Sequence, residues 1–293
     1  MSGAVGADTY LERLASRSAV AGTVLCVGID PDPAALPDGF PRDVAGVEAF
    51  ARLLVEAAVP HAAAVKPNLA FFEAFGSAGL AALERVRARI PAGIPVIADA
   101  KRADIGSTAA RQAAALFDAL GVDAVTVNPY LGAEAILPLL DRLDRFAYVL
   151  CRTSNPGAGE LQDLVVAADS GLGVPDEPLH LRVARRAAGW GPGATVGLVV
   201  GATVADELAA IRAVAPGLAF LVPGVGAQGG DAAAVLASGP ATDAPAGGRP
   251  GGGLLVNVSR GIADAARGPG VTDPGRALDA AARDWAARLP VLP

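Results

Sequence analysis

The sequence has few of the side chains that usually carry redox or metal chemistry. Cysteine and histidine occur only twice each in 293 residues. Cys26 and Cys151 both lie inside apolar runs, where a buried, reduced thiol is the ordinary state. No Cys-x-x-Cys and no Cys/His cluster offers a zinc site, so no metal is expected. His61 and His180 are too few for a histidine-centred triad; His61 fits a helix C-terminus and His180 a solvated helix face. Basic residues are outnumbered, 24 against 30 acidic ones, for a formal charge of -6. That balance leaves no footprint for nucleic acid, although a local cationic pocket for a small anion is compatible with it. No apolar run approaches the roughly 20 residues that span a membrane. No basic region followed by an apolar core marks a signal peptide. A cytoplasmic protein that meets neither membrane nor nucleic acid is expected.

What is abundant is aliphatic surface and turn-forming residues. The chain is 52% hydrophobic but 4% aromatic, with 36 Gly and 23 Pro. Short β-branched runs at 24–29, 63–66, 94–99, 124–128, 146–151, 195–200, 219–223 and 254–258 predict strands. Stretches of helical period follow them near 46–59, 77–89, 107–119, 133–142, 178–188, 204–214, 230–237 and 274–288. Eight such units predict a single-domain α/β fold, a (β/α)8 TIM barrel, which typically takes about 250 residues. A doubly wound open sheet is the alternative. No Gly-x-Gly-x-x-Gly opens the first unit, whose strand ends in Gly28-Ile29-Asp30-Pro31, and this weakens a dinucleotide site. Residues 1–20 form a leading extension, with a helix around 10–17 that covers the barrel bottom; residues 21–293 form the barrel. Within it, the Gly/Pro-rich stretch 239–253 is expected to be a flexible, exposed, mobile insertion. The 152–177 connection is long for a βα loop, and such loops are often functional.

Charge concentrates where the third strand gives way to a helix: Asp99-Ala-Lys101-Arg-Ala-Asp104-Ile105-Gly-Ser-Thr108. Strand alternation points Asp99 and Lys101 the same way. In a parallel barrel this is the C-terminal end, where catalytic residues stand. Closure would bring Asp30, Lys66, Asn68 and Ser154 to the same mouth. A rim salt-bridge network is the bland alternative for Lys66, Asp99, Lys101 and Asp104. Against it, alternating carboxylates and ammoniums would hold Lys101 charged and able to protonate a carbanion. Asp30 either caps the turn before Pro31 or faces a ligand; Asn68 and Ser154 are equally open between loop cap and ligand contact. The seventh strand runs into Pro223-Gly-Val-Gly226-Ala-Gln228-Gly-Gly230 and the eighth into Asn257-Val-Ser-Arg260-Gly. Together these suggest a phosphate cradle, with close backbone approach at the glycines and a guanidinium clamp from Arg260.

The segments Lys66-Pro-Asn-Leu-Ala-Phe-Phe-Glu73, Asp99-Ala-Lys-Arg-Ala-Asp-Ile-Gly106 and Pro223-Gly-Val-Gly-Ala-Gln-Gly-Gly230 resemble the orotidine 5′-monophosphate decarboxylase family, in its longer bacterial subgroup. The resemblance runs from about the first strand to the eighth. It implies cofactor-free decarboxylation of orotidine 5′-monophosphate to uridine 5′-monophosphate and CO2 in de novo pyrimidine biosynthesis. By analogy Asp99 sits against the departing carboxylate, Lys101 protonates C6, and Lys66 and Asp104 complete the charge array. Asp30 and Lys66 contact ribose hydroxyls, Ser154 the pyrimidine amide edge, and Gln228 and Arg260 the phosphate; Asn68 and Gly226 join this substrate-binding set. The resemblance also implies a homodimer, two barrels mouth to mouth, with Asp104, Ile105 and Thr108 reaching the partner's site. The 239–253 insertion departs from the family's usual shape. Competing functions are a Mg2+-dependent sugar-phosphate lyase of the same superfamily, such as a keto-gulonate phosphate decarboxylase or hexulose phosphate synthase, and a non-catalytic nucleotide-binding barrel.

Overall fold

A computed structural model describes residues 8–292, apart from Leu172, Pro192, Ala227, Gln228 and Pro269. Eight strands form the centre: β1 Leu25–Ile29, β2 Ala64–Pro67, β3 Ile97–Arg102, β4 Ala124–Val127, β5 Phe146–Arg152, β6 Val196–Val200, β7 Ala219–Pro223 and β8 Leu255–Val258. They run parallel in the order β2-β1-β8-β7-β6-β5-β4-β3. Bridges between Val65 and Val96 and between Asn68 and Asp99 join the two ends of that order. Across this seam Val65 N–H donates to Pro95 O at 3.0 Å and Leu69 N–H to Asp99 O at 3.2 Å. The result is the expected (β/α)8 barrel. β1, β2, β4, β6 and β8 are buried along their whole length, as strands covered on both faces must be.

Side chains that alternate inward form one core. Cys26, Ala64, Ile97, Ala124, Tyr148, Val199, Leu221 and Leu255 cluster with Tyr10, Leu11 and Leu14 of the leading helix, Tyr10–Ala21. That helix begins at a reciprocal cap: Thr9 Oγ1 accepts from Glu12 N–H at 3.3 Å and Glu12 Oε2 accepts from Thr9 N–H at 2.8 Å. Tyr10 stacks on Phe146, the first residue of β5, with ring centroids 4.7 Å apart. Its hydroxyl lies 3.1 Å from that of Tyr148. The helix therefore seals the N-terminal end of the barrel, and the chemistry is left to the other end. Both cysteines are free and buried; burial pushes the Cys26 thiol up to about 12.

The structure corrects four local expectations. β3 starts and ends three residues later than predicted, because its backbone bulges after Ala98 and Arg102 pairs with Val127. The helix predicted at 133–142 is broken into the short turns Ala133–Ala135 and Leu137–Leu140; Pro138 has no N–H to donate back to Glu134 O, so the two turns do not join in one ladder. His180 is buried, 4% exposed, not on a solvated face. The stretch 239–253, expected to be exposed, is partly built into the floor. Ala246 is fully buried within the interior cluster, and Gly251, Gly252 and Gly253 are buried too. Ala241 N–H donates to Gly252 O at 2.9 Å and Ala246 N–H to Gly217 O at 3.1 Å. The small residues that made this stretch look like an exposed insertion let it pack closely. A Cβ on Gly253 would come within 2.8 Å of Ala246 Cβ and 2.9 Å of Ala219 Cβ.

Ala246→Asp should therefore destabilise the protein by roughly 3 kcal/mol or more, since it buries an unpaired carboxylate. Urea unfolding checks this. An exposed loop residue would change stability by less than about 0.5 kcal/mol.

Candidate active site

The C-terminal strand ends open into one continuous cleft. Asp30, Lys66, Asp99, Ser154, Pro223, Gly224, Val225, Asn257, Ser259, Arg260 and Gly261 line one lobe. A second lobe shares Lys66, Asp99, Ser154 and Pro223 and adds Lys101, Thr126, Leu150, Thr153 and Asn155. With Val199 of β6 in the second lobe, all eight strands contribute, as barrel closure requires.

At the centre stands Asp99. Its Oδ2 lies 2.5 Å from Lys66 Nζ and its Oδ1 2.5 Å from Lys101 Nζ. Thr126 donates its hydroxyl to the same Oδ1 at 3.1 Å and accepts from the backbone N–H groups of Ala100 and Lys101 at 3.1 and 3.0 Å. A hydroxyl has one proton to give and two lone pairs to receive with. Thr126 uses all three, tying the carboxylate to the backbone that carries Lys101. That backbone is unusual: Lys101 has φ 47, a left-handed conformation for a non-glycine residue, which costs roughly 1–3 kcal/mol unless its surroundings impose it. The bulge in β3 and the two bonds to Thr126 impose it here. Thr126 carries no charge or motif that marks it, yet a lone hydroxyl among valines at an inward register of β4 is a readable signal.

Electrostatics follow from burial and contact. Burial alone would raise the Asp99 carboxyl, but the Lys66 and Lys101 charges and their hydrogen bonds outweigh it and hold it well below the usual carboxylate range. Burial would likewise pull the Lys66 ammonium down; the Asp99 and Asp30 carboxylates overcome it and hold Lys66 above its ordinary value. Lys66 is 4% exposed, whereas the Lys101 side chain is half exposed to the cleft. One ammonium is thus a fixed counter-charge and the other faces incoming ligand.

The opposite end of the cleft is suited to an anion. Gly224 and Gly226 have φ 104 and 89, turning the chain sharply after β7. Gly230 N–H closes the turn on Gly224 O at 3.1 Å. A Cβ on Gly226 would meet the Trp285 ring at 3.0 Å, so both space and backbone favour glycine there. Arg260 opens a short helical turn after β8, is exposed, and has no ion pair among the described residues. Asp30 lies between the two ends, with Oδ1 buried and unpaired among the described residues.

Some expected members stand apart. Asp104 Oδ1 accepts from Ile105 N–H at 2.8 Å and forms no ion pair with either lysine. Ile105 is 57% exposed and Thr108 is exposed, on the first turn of the helix Gly106–Ala113. Asn68 turns its carbonyl oxygen to Ala70 N–H at 3.3 Å, the loop-cap alternative. Gln228 lies outside the described residues.

Fold and site together define an enzyme of the (β/α)8-barrel class, with a lysine–aspartate–lysine centre facing a glycine turn and an arginine. The profile of the Orotidine 5'-phosphate decarboxylase / HUMPS family matches residues 23–271, and the chain belongs to this family. A curated orotidine 5'-phosphate decarboxylase of Thermomicrobium roseum is 46% identical over 282 residues, covering 96% of each chain. That of Roseiflexus castenholzii is 47% identical, over 89% of this chain and 90% of the relative. Among solved structures, Leishmania donovani OMP decarboxylase superposes with a TM-score of 0.77 at 39% identity, over 96% of both chains.

The pair's contribution to stability has a defined pH window. Asp99's lowered native value gives a contribution that is present above about pH 4 and lost as pH falls through that native value. Lys66's raised value gives one that is present below about pH 10.4 and lost as pH rises through it. The pair should therefore stabilise evenly between roughly pH 5 and 9. Asp99→Asn should lower stability by about 3 kcal/mol, because it leaves a buried ammonium without its nearest counter-charge, and should drop the Lys66 pKa below its ordinary value. Chemical unfolding and lysine NMR titration measure both. Unchanged stability with an unmoved Lys66 would refute the pairing.

Proposed function

We propose that the cleft decarboxylates orotidine 5′-monophosphate to uridine 5′-monophosphate and CO2, the pyrimidine-forming step the family is named for, without a cofactor. The observation that carries this is the Lys66–Asp99–Lys101 array at one end of a cleft whose other end offers Gly224, Gly226 and Arg260. Phosphate at the glycine turn would set the pyrimidine over the array, and that distant binding energy can be used for orientation at the reacting carbon. The C6–carboxylate bond breaks, its electron pair stays on C6, and CO2 leaves. A proton then passes from the Lys101 ammonium to C6, and Lys101 regains one from water. A fixed ammonium stabilises the carbanion as its charge develops. Asp99, held ionised, stands beside the departing carboxylate and keeps Lys101 aimed.

The metal-dependent lyase is less well supported. Both Asp99 oxygens are already held by ammonium groups, so a Mg2+ ion would compete with two fixed cations for its ligand. The proposal includes a cytoplasmic homodimer. Asp104 stands off from its own array, and Ile105 and Tyr130, 57% and 84% exposed, follow β3 and β4 at the mouth. Those positions suit delivery of Asp104, Ile105 and Thr108 to a second copy. Among the described residues no helix is long and apolar enough to cross a membrane.

Loss of orotidine monophosphate absorbance tests the assignment. Wild type should turn over equally with and without EDTA, and Lys101→Ala should lose at least about 10^3-fold in rate while its fold survives. Equal rates for the two proteins would remove Lys101 as the acid, and abolition by EDTA would favour the lyase. Mixing inactive Lys101→Ala and Asp104→Ala subunits should restore partial activity; no recovery after proven subunit exchange would contradict sharing.

A further inference from the structure

The long connection after β5 contributes Ser154 to the cleft, and Arg152, Thr153, Asn155, Gln162 and Asp163 form a polar network beside that residue. Arg152, 9% exposed, pairs through Nε with Asp163 Oδ1 at 3.0 Å and donates Nη2 to Asp163 Oδ2 at 3.1 Å. Its Nη1 donates to Thr153 O at 2.8 Å. Gln162 accepts Thr153 N–H at Oε1, 2.8 Å, and donates Nε2 to the Thr153 hydroxyl, 2.9 Å. That hydroxyl donates in turn to Asn155 Oδ1 at 2.6 Å. Gln162 is itself anchored, because its carbonyl oxygen meets Nδ1 of buried His180 at 2.9 Å. Thr153 is thus tied directly to one amide, and Asn155 is tied to it through the Thr153 hydroxyl.

The other side of Ser154 is closed by β6. A Cβ at Gly201 would lie 2.9 Å from Ser154 Cβ, 3.0 Å from its N and 3.1 Å from its Cα. Gly201 N–H donates to Arg152 O at 2.7 Å, which fixes this approach. Ser154 therefore sits between a strand end that admits only glycine and a turn pinned from the Gly159–Gln162 helix. None of these contacts touches the lysine–aspartate array or the glycine turn after β7.

We propose that Gln162 is a positioning residue for the base: its amide holds the turn around Thr153 so that Ser154 is presented to the pyrimidine. This rests on the nucleotide reading given above. A loop residue fixed before ligand arrives loses less freedom on binding, so removal of the clamp weakens only ligands that carry a base.

The test compares inhibition by uridine monophosphate, which has the base, with inhibition by ribose 5-phosphate, which lacks it. In Gln162→Ala and Gln162→Met the inhibition constant for uridine monophosphate should rise about tenfold, the size of one or two lost hydrogen bonds, and KM should rise with it more than kcat falls. Ribose 5-phosphate inhibition should not change, and the melting temperature should fall by only about 2–4 °C, the cost of the lost internal hydrogen bonds. Gln162→Glu keeps the acceptor for Thr153 N–H and should recover most of the loss. Gly201→Ala, which displaces Ser154 from the opposite side, should reproduce the same base-selective defect. Equal weakening of both ligands, or of neither, in a wild type that prefers uridine monophosphate overturns the positioning role alone. A wild type that binds the two ligands equally overturns the nucleotide reading and this role with it.

Discussion

The site depends on one carboxylate held between two ammonium groups. Asp99 contacts Lys66 and Lys101 at 2.5 Å each, and that arrangement needs several other features. β3 must bulge so that Lys101 can turn back over Asp99, and Lys101 must take a left-handed backbone. Thr126 makes that conformation stable by accepting two backbone N–H groups while donating to the carboxylate. Three charges at a barrel rim would ordinarily relax into solvent. Burial of Lys66 and the saturated hydroxyl prevent it, so the array is in place before any ligand binds.

The barrel separates this demand from the demands of folding. At its N-terminal end Tyr10, Phe146 and Tyr148 pack with Ala246 and the aliphatic interior, and the two tyrosine hydroxyls pair with one another. At its C-terminal end Asp30 keeps a buried oxygen without a partner among the described residues, and Arg260 keeps an exposed guanidinium. Unsatisfied polar groups cost free energy; among the described residues Asp30 Oδ1 and Asn257 Oδ1 carry that cost in the cleft, where a ligand can satisfy them. The same division explains why a low-complexity stretch became part of the floor: close packing of Ala and Gly closes the bottom without adding polar groups.

Much of this was legible in the sequence. Eight apolar runs alternating with helical stretches specify the barrel, since a run buried on both faces needs no periodicity beyond its length. The types and spacing of Lys66, Asp99 and Lys101 point to neighbouring strand ends, and the three side chains meet there. The bulge at Lys101 was not legible, because nothing local in Asp-Ala-Lys-Arg forces a left-handed residue; Thr126, on the next strand, does. Composition misled at 239–253, where glycine and alanine signal close packing as readily as flexibility. Asp104 matches the family's spacing yet stands apart from its own array, and a chain read singly carries no information on a second copy. Gln162 left no signal, because its contacts depend on a folded turn nine residues from Thr153.

Lys101 is proposed to exchange a proton with C6 of the pyrimidine. The most direct measurement is NMR of uridine monophosphate incubated with enzyme in D2O, following the C6 hydrogen. Wild type should replace that hydrogen with deuterium faster than buffer alone, and Lys101→Ala should not. Exchange at the same rate in both proteins would contradict the assignment of Lys101 as the proton donor.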